Sequence, residues 1–399
     1  MNAVPNHSSP KLGRAARGLW MLKENASFLN HGSYGATPVA VLAAQAALRQ
    51  QLEAHPDAFM ARVRPDGEER AVRAVAAALA PYVGATERQL ALVENATHGV
   101  HAALQSAVLR AGDEVLATDH QYNAVRLAIE ARCRDTGATP RVVALPVPVD
   151  ADGILERVLG AIGPRTRLVV LDHVTSPSAL RLPLERLIPE LARREIPVLI
   201  DGAHAIGQIP LDLTALGADW HVSNGHKWLY APRGAAVLYT ADRAAARTRP
   251  LITSHYIGQG YPASFDYIGT RDYTAWLTLP AALAFRRSLD AAGIHAHVRA
   301  LIETGSDALE SLGARPVAPP DASLWMRAFV LPQTRAATQA DADEVMRTLW
   351  ERERIQIRCA IVAGSLLLRI CGQAYVEADE LRALGEALGR HGWPGRSSR

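Results

Sequence analysis

The chain has 399 residues, 49% of them hydrophobic and 21% charged, which is enough apolar mass for a sizeable core and argues against general disorder. Its 43 Lys and Arg and 40 Asp and Glu are interspersed rather than blocked. That excludes nucleic acid as the default partner and leaves an anionic small molecule open. Three cysteines, Cys133, Cys359 and Cys371, are odd in number and lack CxxC spacing, which speaks against a disulfide scaffold or structural zinc and fits a reducing cytoplasm.

At about 100–200 residues per domain, the length predicts one large and one smaller domain. Residues 1–27 read as an N-terminal arm, its first ~20 residues partly mobile. Met1 to Arg17 is polar, with no apolar segment of signal-peptide length. No run reaches the roughly 20 apolar residues of a membrane span. Beyond the arm, apolar β-branched runs alternate with helical patterns, the mark of an α/β sheet. Strands are expected at Glu114–Ala117, Arg167–Leu171, Ile196–Ile200, Trp220–Val222 and Ala235–Tyr239, with helices between them such as Val100–Leu109 and Leu184–Arg194. Leu168-Val169-Val170-Leu171 is apolar on both faces, as a parallel strand covered by helices should be.

After about Thr270 the pattern changes. A long Ala-rich helical region is expected from Trp276 to about Leu312. Short strands follow at Leu324–Leu331, Gln356–Ile361 and Leu366–Ile370, with helices at Ala340–Arg354 and Glu377–Arg390. The expected division is a large domain over 28–275 and a smaller α+β domain over 276–399.

Polar clusters fall just after the expected strands, or before a helix: Asn95-Ala96-Thr97-His98-Gly99, Asp119-His120-Gln121-Tyr122, His173-Val174-Thr175-Ser176-Pro177, Asp201-Gly202-Ala203-His204 and Ser223-Asn224-Gly225-His226-Lys227. Ligands of open α/β sheets bind beyond the carboxyl ends of the strands, so these clusters define one site. A lone strand-end lysine is usually a solvated charge. Lys227, between His226 and Trp228 at the sheet mouth, is instead a candidate for Schiff-base chemistry with a carbonyl, which requires the neutral amine. Asp201 closes an apolar strand, and its carboxylate needs a partner. A protonated pyridine nitrogen is one, and capping of the next turn is the plainer alternative. Ala96 and Thr97 open a helix, where backbone N–H groups and the Thr97 hydroxyl can meet a phosphate or simply be capped by Asn95.

Taken in order, Phe28-Leu29-Asn30-His31-Gly32-Ser33-Tyr34-Gly35, Asn224-Gly225-His226-Lys227-Trp228, Gly269-Thr270-Arg271-Asp272 and Arg369 resemble the class V aminotransferase group of fold-type I pyridoxal phosphate (PLP) enzymes, and within it the isopenicillin N epimerase-like branch. The resemblance covers most of the chain. It implies the PLP-dependent transferase fold of type I: a large, doubly wound, mostly parallel sheet domain with a smaller C-terminal α+β domain. It implies PLP as cofactor, an amino acid as substrate and a homodimer with shared active sites. The arm is expected to pack near the dimer interface or the smaller domain. Lys227 becomes the Schiff-base lysine and proton shuttle. Asp201 faces the pyridine nitrogen, His204 the ring hydroxyl, and either His120 or Tyr122 stacks on the ring. Ala96, Thr97, Asn224 and His226 form the phosphate cup, to which Gly269 and Thr270 come from the neighbouring subunit. Arg369 clamps the substrate carboxylate, with Asn30 and His31 close to the substrate.

The expected reactions share removal of the Cα proton by Lys227. They are ordered as epimerisation, then elimination of a sulfur group from Cβ, then amino transfer. His31, His120 and Tyr122 are the candidates for a second proton donor across the ring. His31, Tyr34, His101, His255, Tyr256 and Arg271 are candidates for the side-chain environment. Cys359 lies in an apolar strand pattern and Cys371 just after Arg369; both are read as packing residues, which weakens a cysteine-desulfurase reading.

Overall fold

Runs of Val, Leu and Ile without polar interruption form stable strands only where both faces are covered. The structure, a computed structural model describing residues 11–321 and 323–393, covers them in that way. Seven strands make the central sheet: β1 (Leu90–Val93), β2 (Glu114–Thr118), β3 (Thr139–Val143), β4 (Thr166–Asp172), β5 (Val198–Asp201), β6 (Trp220–Asn224) and β7 (Ala236–Thr240). Their spatial order is β1-β7-β6-β5-β4-β2-β3. β7 alone runs antiparallel to its neighbours; the other pairs are parallel. Side chains alternate between two cores. Leu168, Val170 and Leu199 pack with Val125, Ala128 and Ile129 on one side. Val169, Leu171 and Ile200 pack with Leu184, Leu187 and Leu191 on the other.

β3 carries no apolar run in the sequence and was not expected. It is an edge strand, exposed at four of its five positions, and so tolerates Pro140.

A second, antiparallel sheet comes from the C-terminal part. Its strands are β8 (Arg315–Pro316), β9 (Met326–Val330), β10 (Arg358–Val362) and β11 (Ser365–Cys371), in the order β10-β11-β9-β8. The expected long Ala-rich helix is three helices, Thr274–Leu277, Leu279–Ala291 and Ile294–Glu310. Pro280 starts the second, and Gly293, at φ +80°, turns the chain into the third.

The described part of the arm packs on the C-terminal part of the chain. Gly13 N–H donates to the Ala374 carbonyl at 2.7 Å, Trp20 is buried and its indole donates to Ala36 at 3.1 Å. Ser27–Phe28 pairs in parallel with Ile355–Gln356. Residues 11–28 are therefore tied to the C-terminal part; the beginning of the expected mobile arm, residues 1–10, lies outside the described residues.

Candidate active site

β4 ends on Asp172 and β5 on Asp201, which are register partners on neighbouring parallel strands. Both carboxylates are buried. Burial raises the pKa of each, and for Asp172 the charge of Asp201 adds to it. Two buried carboxyls on neighbouring strand ends titrate as a pair rather than singly. Asp201 Oδ1 accepts from the Ala203 N–H at 3.0 Å, while Asp172 Oδ2 is buried without a partner among the described residues.

Lys227 follows β6 and is buried. Burial pulls its amine down to about 7, Arg369 pushes the same way, and Asp201, Cys371 and Asp172 oppose. Its Nζ lies 3.0 Å from His204 Nε2. Trp228 Nε1 points at His204 Nδ1 at 3.3 Å. An indole N–H can only donate, so Nδ1 accepts and the imidazole proton sits on Nε2. His204 then donates to a neutral Lys227 amine, which agrees with the low pKa of both groups. The backbone here is packed closely: a Cβ on Gly35, at φ +66°, would lie 1.8 Å from the His226 carbonyl oxygen.

The helix α1 (Ala96–Ser106) aims its N-terminus at the same place. Asn95 Oδ1 caps His98 N–H at 2.9 Å, and Asn224 Oδ1 accepts from Ala96 N–H at 2.8 Å. Among the described residues the Thr97 N–H has no acceptor. Among the described residues His226 Nδ1 is buried and has no partner, and burial lowers the pKa of that ring to about 3. Thr97, Asp172, Asp201, His204, His226 and Lys227 line one cavity of about 330 Å³, together with Ala96, Asn224 and Tyr122.

Arg369 on β11 is 1% exposed. Its guanidinium donates to Ser176 O at 2.6 Å, Asn30 Oδ1 at 3.1 Å and Ser33 Oγ at 3.3 Å. Among the described residues no carboxylate is paired with it, and Nε has no partner. Ser33 and Ser176 line the Lys227 cavity, so this cation stands directly behind its wall. Asn30 thus orients Arg369.

Several expected placements differ. His31 is fully buried, with Nε2–H donating to the Lys227 carbonyl at 2.9 Å and Nδ1 accepting from Tyr375 at 2.8 Å. Burial lowers it to about 4. Both nitrogens are committed, so His31 braces the lysine turn and is neither a free proton donor nor a substrate contact. His120 is also enclosed: Nε2–H donates to Leu145 O at 3.1 Å, and Nδ1 accepts from Ser178 Oγ at 2.7 Å. Tyr122, half exposed, is on the cavity wall and His120 is not. Gly269 and Thr270, expected to act on the neighbouring subunit rather than their own, do not line the cavity of their own chain, and Thr270 is exposed. Of the side-chain candidates, Tyr34 reaches the cavity. Arg271 is paired with Glu94, and His101 with the Thr97 carbonyl at 2.9 Å. His255 and Tyr256 lie outside the cavity wall. Cys359 is buried, its thiol pushed up to about 12, and Cys371 is buried with its thiol raised, so both pack as inert groups. Asp172 and Arg233 were missed. Asp172 ends its strand as Asp201 does, and that shared pattern was the available signal.

These donors and acceptors fit PLP. The orphaned Asp172 oxygen, the orphaned His226 nitrogen, the open Thr97 N–H and a neutral lysine amine are complementary to a cationic ring nitrogen, a phosphate and an aldehyde. A sheet-edge cavity of this kind defines a PLP-dependent enzyme. The chain belongs to the aminotransferase class-V family, whose model matches residues 34–365.

Among curated relatives, the isopenicillin N epimerase of Streptomyces clavuligerus is 33% identical over 393 residues, covering 94% of this chain and 96% of that protein. The putative L-cysteine desulfhydrase 1 of Oryza sativa subsp. japonica is also 33% identical, covering 82% of this chain and 71% of that one. Among solved structures, the cystine C-S lyase C-DES superposes with a TM-score of 0.77 at 22% identity, over 92% of this chain and 97% of that one. A cysteine desulfurase from Thermococcus onnurineus NA1 gives 0.78 at 15% identity, over 96% and 99%. These structural likenesses speak to the fold.

Proposed function

We propose that this PLP enzyme epimerises an amino acid at Cα, with Lys227 as the residue that holds the cofactor and moves the Cα proton. The observation that carries the amino-acid part of the reading is Arg369, a buried cation without a carboxylate partner among the described residues, whose charge acts on a lysine amine tuned to about 7. The epimerase relative, 33% identical over most of both chains, favours epimerisation. A guanidinium in that position recognises the substrate carboxylate in fork geometry. Fixing the carboxylate leaves Cα before Lys227 Nζ. Bound PLP supplies the electron sink for the negative charge left at Cα. Asp201, with Asp172 on the neighbouring strand, would face the ring nitrogen and favour its protonated form. Ala96, Thr97, Asn224 and His226 would hold the phosphate, and the single N–H of His204, on Nε2, would face Lys227 or the ring hydroxyl. Tyr122 lies on the cavity wall and is assigned the ring face and the proton on the opposite side of Cα.

The assignment includes a homodimer, with Gly269 and Thr270 reaching the partner's phosphate, a cytoplasmic setting, and a division into domains at 28–275 and 276–399. The exposure of Thr270 away from its own cavity supports the first of these. No helix of the described residues is long and apolar enough to cross a membrane.

The desulfhydrase relatives favour a second reading, elimination of a sulfur group from Cβ, using the same lysine and clamp. Amino transfer is the third. Incubation in D₂O with L- and D-amino acids, cysteine conjugates and sulfoxides separates them. Deuterium at Cα with inversion and no keto acid is the expected result. Pyruvate with a sulfur product would move the assignment to a lyase.

A further inference from the structure

A second cavity of about 250 Å³ adjoins the Lys227 cavity, and Tyr34 and Arg233 are walls of both. Its apolar surfaces come from Leu22, Phe28 and Trp350. Its charged walls are Lys23 and Arg233, and no acidic residue lines it. Arg233 Nη2 donates to the Gly35 carbonyl at 3.0 Å, and among the described residues neither Arg233 nor Lys23 forms an ion pair. Lys23 instead lies over the Trp350 ring, 5.7 Å from its centre. Asn30, which holds Arg369, is also part of this wall. The arm and the C-terminal part build the cavity together, since Ser27–Phe28 pairs with Ile355–Gln356 at its edge.

We propose that this annex is a subsite for the far end of the substrate, and that it takes an anionic group, such as a second carboxylate, carried on an extended and partly apolar side chain. The inference rests on the amino-acid reading above. The α-carboxylate is assigned to Arg369, so the two cations of the annex are left for a different anion. A free cation pair beside aromatic and aliphatic surface suits a carboxylate at the end of a methylene or thioether chain: the chain lies on Phe28 and Trp350, and the head reaches Arg233 and Lys23. A small neutral substrate such as cysteine would leave the annex unused.

The test is equilibrium binding to the PLP-loaded enzyme of S-(2-carboxyethyl)-L-cysteine and its uncharged isostere, S-(2-carbamoylethyl)-L-cysteine, by calorimetry and by the change in cofactor absorbance. The acid should bind about tenfold more tightly than the amide, the ratio expected of one added charge-assisted contact. Arg233→Gln should bring the ratio close to one, and Lys23→Gln should lower it. PLP content of each variant is measured alongside. Equal affinity of acid and amide in the wild-type enzyme overturns the subsite and leaves the amino-acid reading intact. So does an unchanged ratio in Arg233→Gln. If neither compound binds and no amino acid exchanges its Cα proton in D₂O, the amino-acid reading fails and the subsite falls with it.

Discussion

Replacing Arg369 with Met tests how one buried cation tunes the lysine. With its amine at about 7, Lys227 is about half neutral at pH 7; at the ordinary lysine value of 10.5, roughly 3 in 10,000 molecules would be. Burial is the larger cause and Arg369 the next. A like charge disfavours the protonated amine, so removing it raises the pKa and lowers the neutral fraction. A nearby charge commonly moves a pKa by about one pH unit or more, which would cut that fraction at pH 7 from about a half to about a tenth. The assay is stopped-flow capture of PLP by the apo-protein as a function of pH, since only the neutral amine attacks the aldehyde. The wild-type rate should rise with a midpoint near pH 7. Arg369→Met should move the midpoint to higher pH and slow capture about fivefold at pH 7, while Arg369→Lys, which keeps a charge, should largely restore it. A wild-type midpoint near that of a solvated lysine, or an unmoved midpoint in Arg369→Met, would refute the reasoning.

Three further outcomes follow from the contacts. Cys359→Ala should keep PLP content and turnover and lower stability by about 1 kcal/mol through lost packing, read as a small fall in Tm; loss of turnover in a folded, PLP-loaded variant would give the thiol a chemical role. Ser178→Ala removes the hydroxyl between His120 Nδ1 (2.7 Å) and Thr175 Oγ1 (2.7 Å) and loosens the turn whose Ser176 carbonyl holds Arg369. It should raise KM for the amino acid several-fold with PLP affinity unchanged, and an equal loss of both would mark a general folding defect. Asp201→Asn should lower kcat at least about a hundredfold, as removal of an electrostatic partner at a developing charge does. Near wild-type turnover would hand that role to Asp172.

Five strands of the central sheet are legible in the sequence from their apolar runs, but β1, short and equally apolar and buried, is not among those expected. β4 and β5 could be found from Val169, Val170, Leu199 and Ile200 alone, and the chemistry was found by looking one step past their ends. The same rule stops short at β4, where the polar cluster read from the sequence begins at His173 and Asp172 is hidden at the end of the apolar run. β3 was illegible because an exposed edge strand with Pro140 has no apolar periodicity. The roles of His31 and His120 could not be read from order along the chain. They depend on which acceptors their ring nitrogens meet, Lys227 O and Leu145 O, and those contacts span 196 and 25 residues. Arg233 was equally hidden, because its meaning comes from the absence of an acid around it in space.

That Lys227 carries the cofactor is simple to test, since the chain contains only three lysines, Lys11, Lys23 and Lys227. Borohydride reduction of the PLP-loaded enzyme, followed by peptide mapping, should place a single PLP adduct on Lys227 and none in Lys227→Ala. An adduct on Lys11 or Lys23, or persistence of a reducible adduct in Lys227→Ala, would contradict the account.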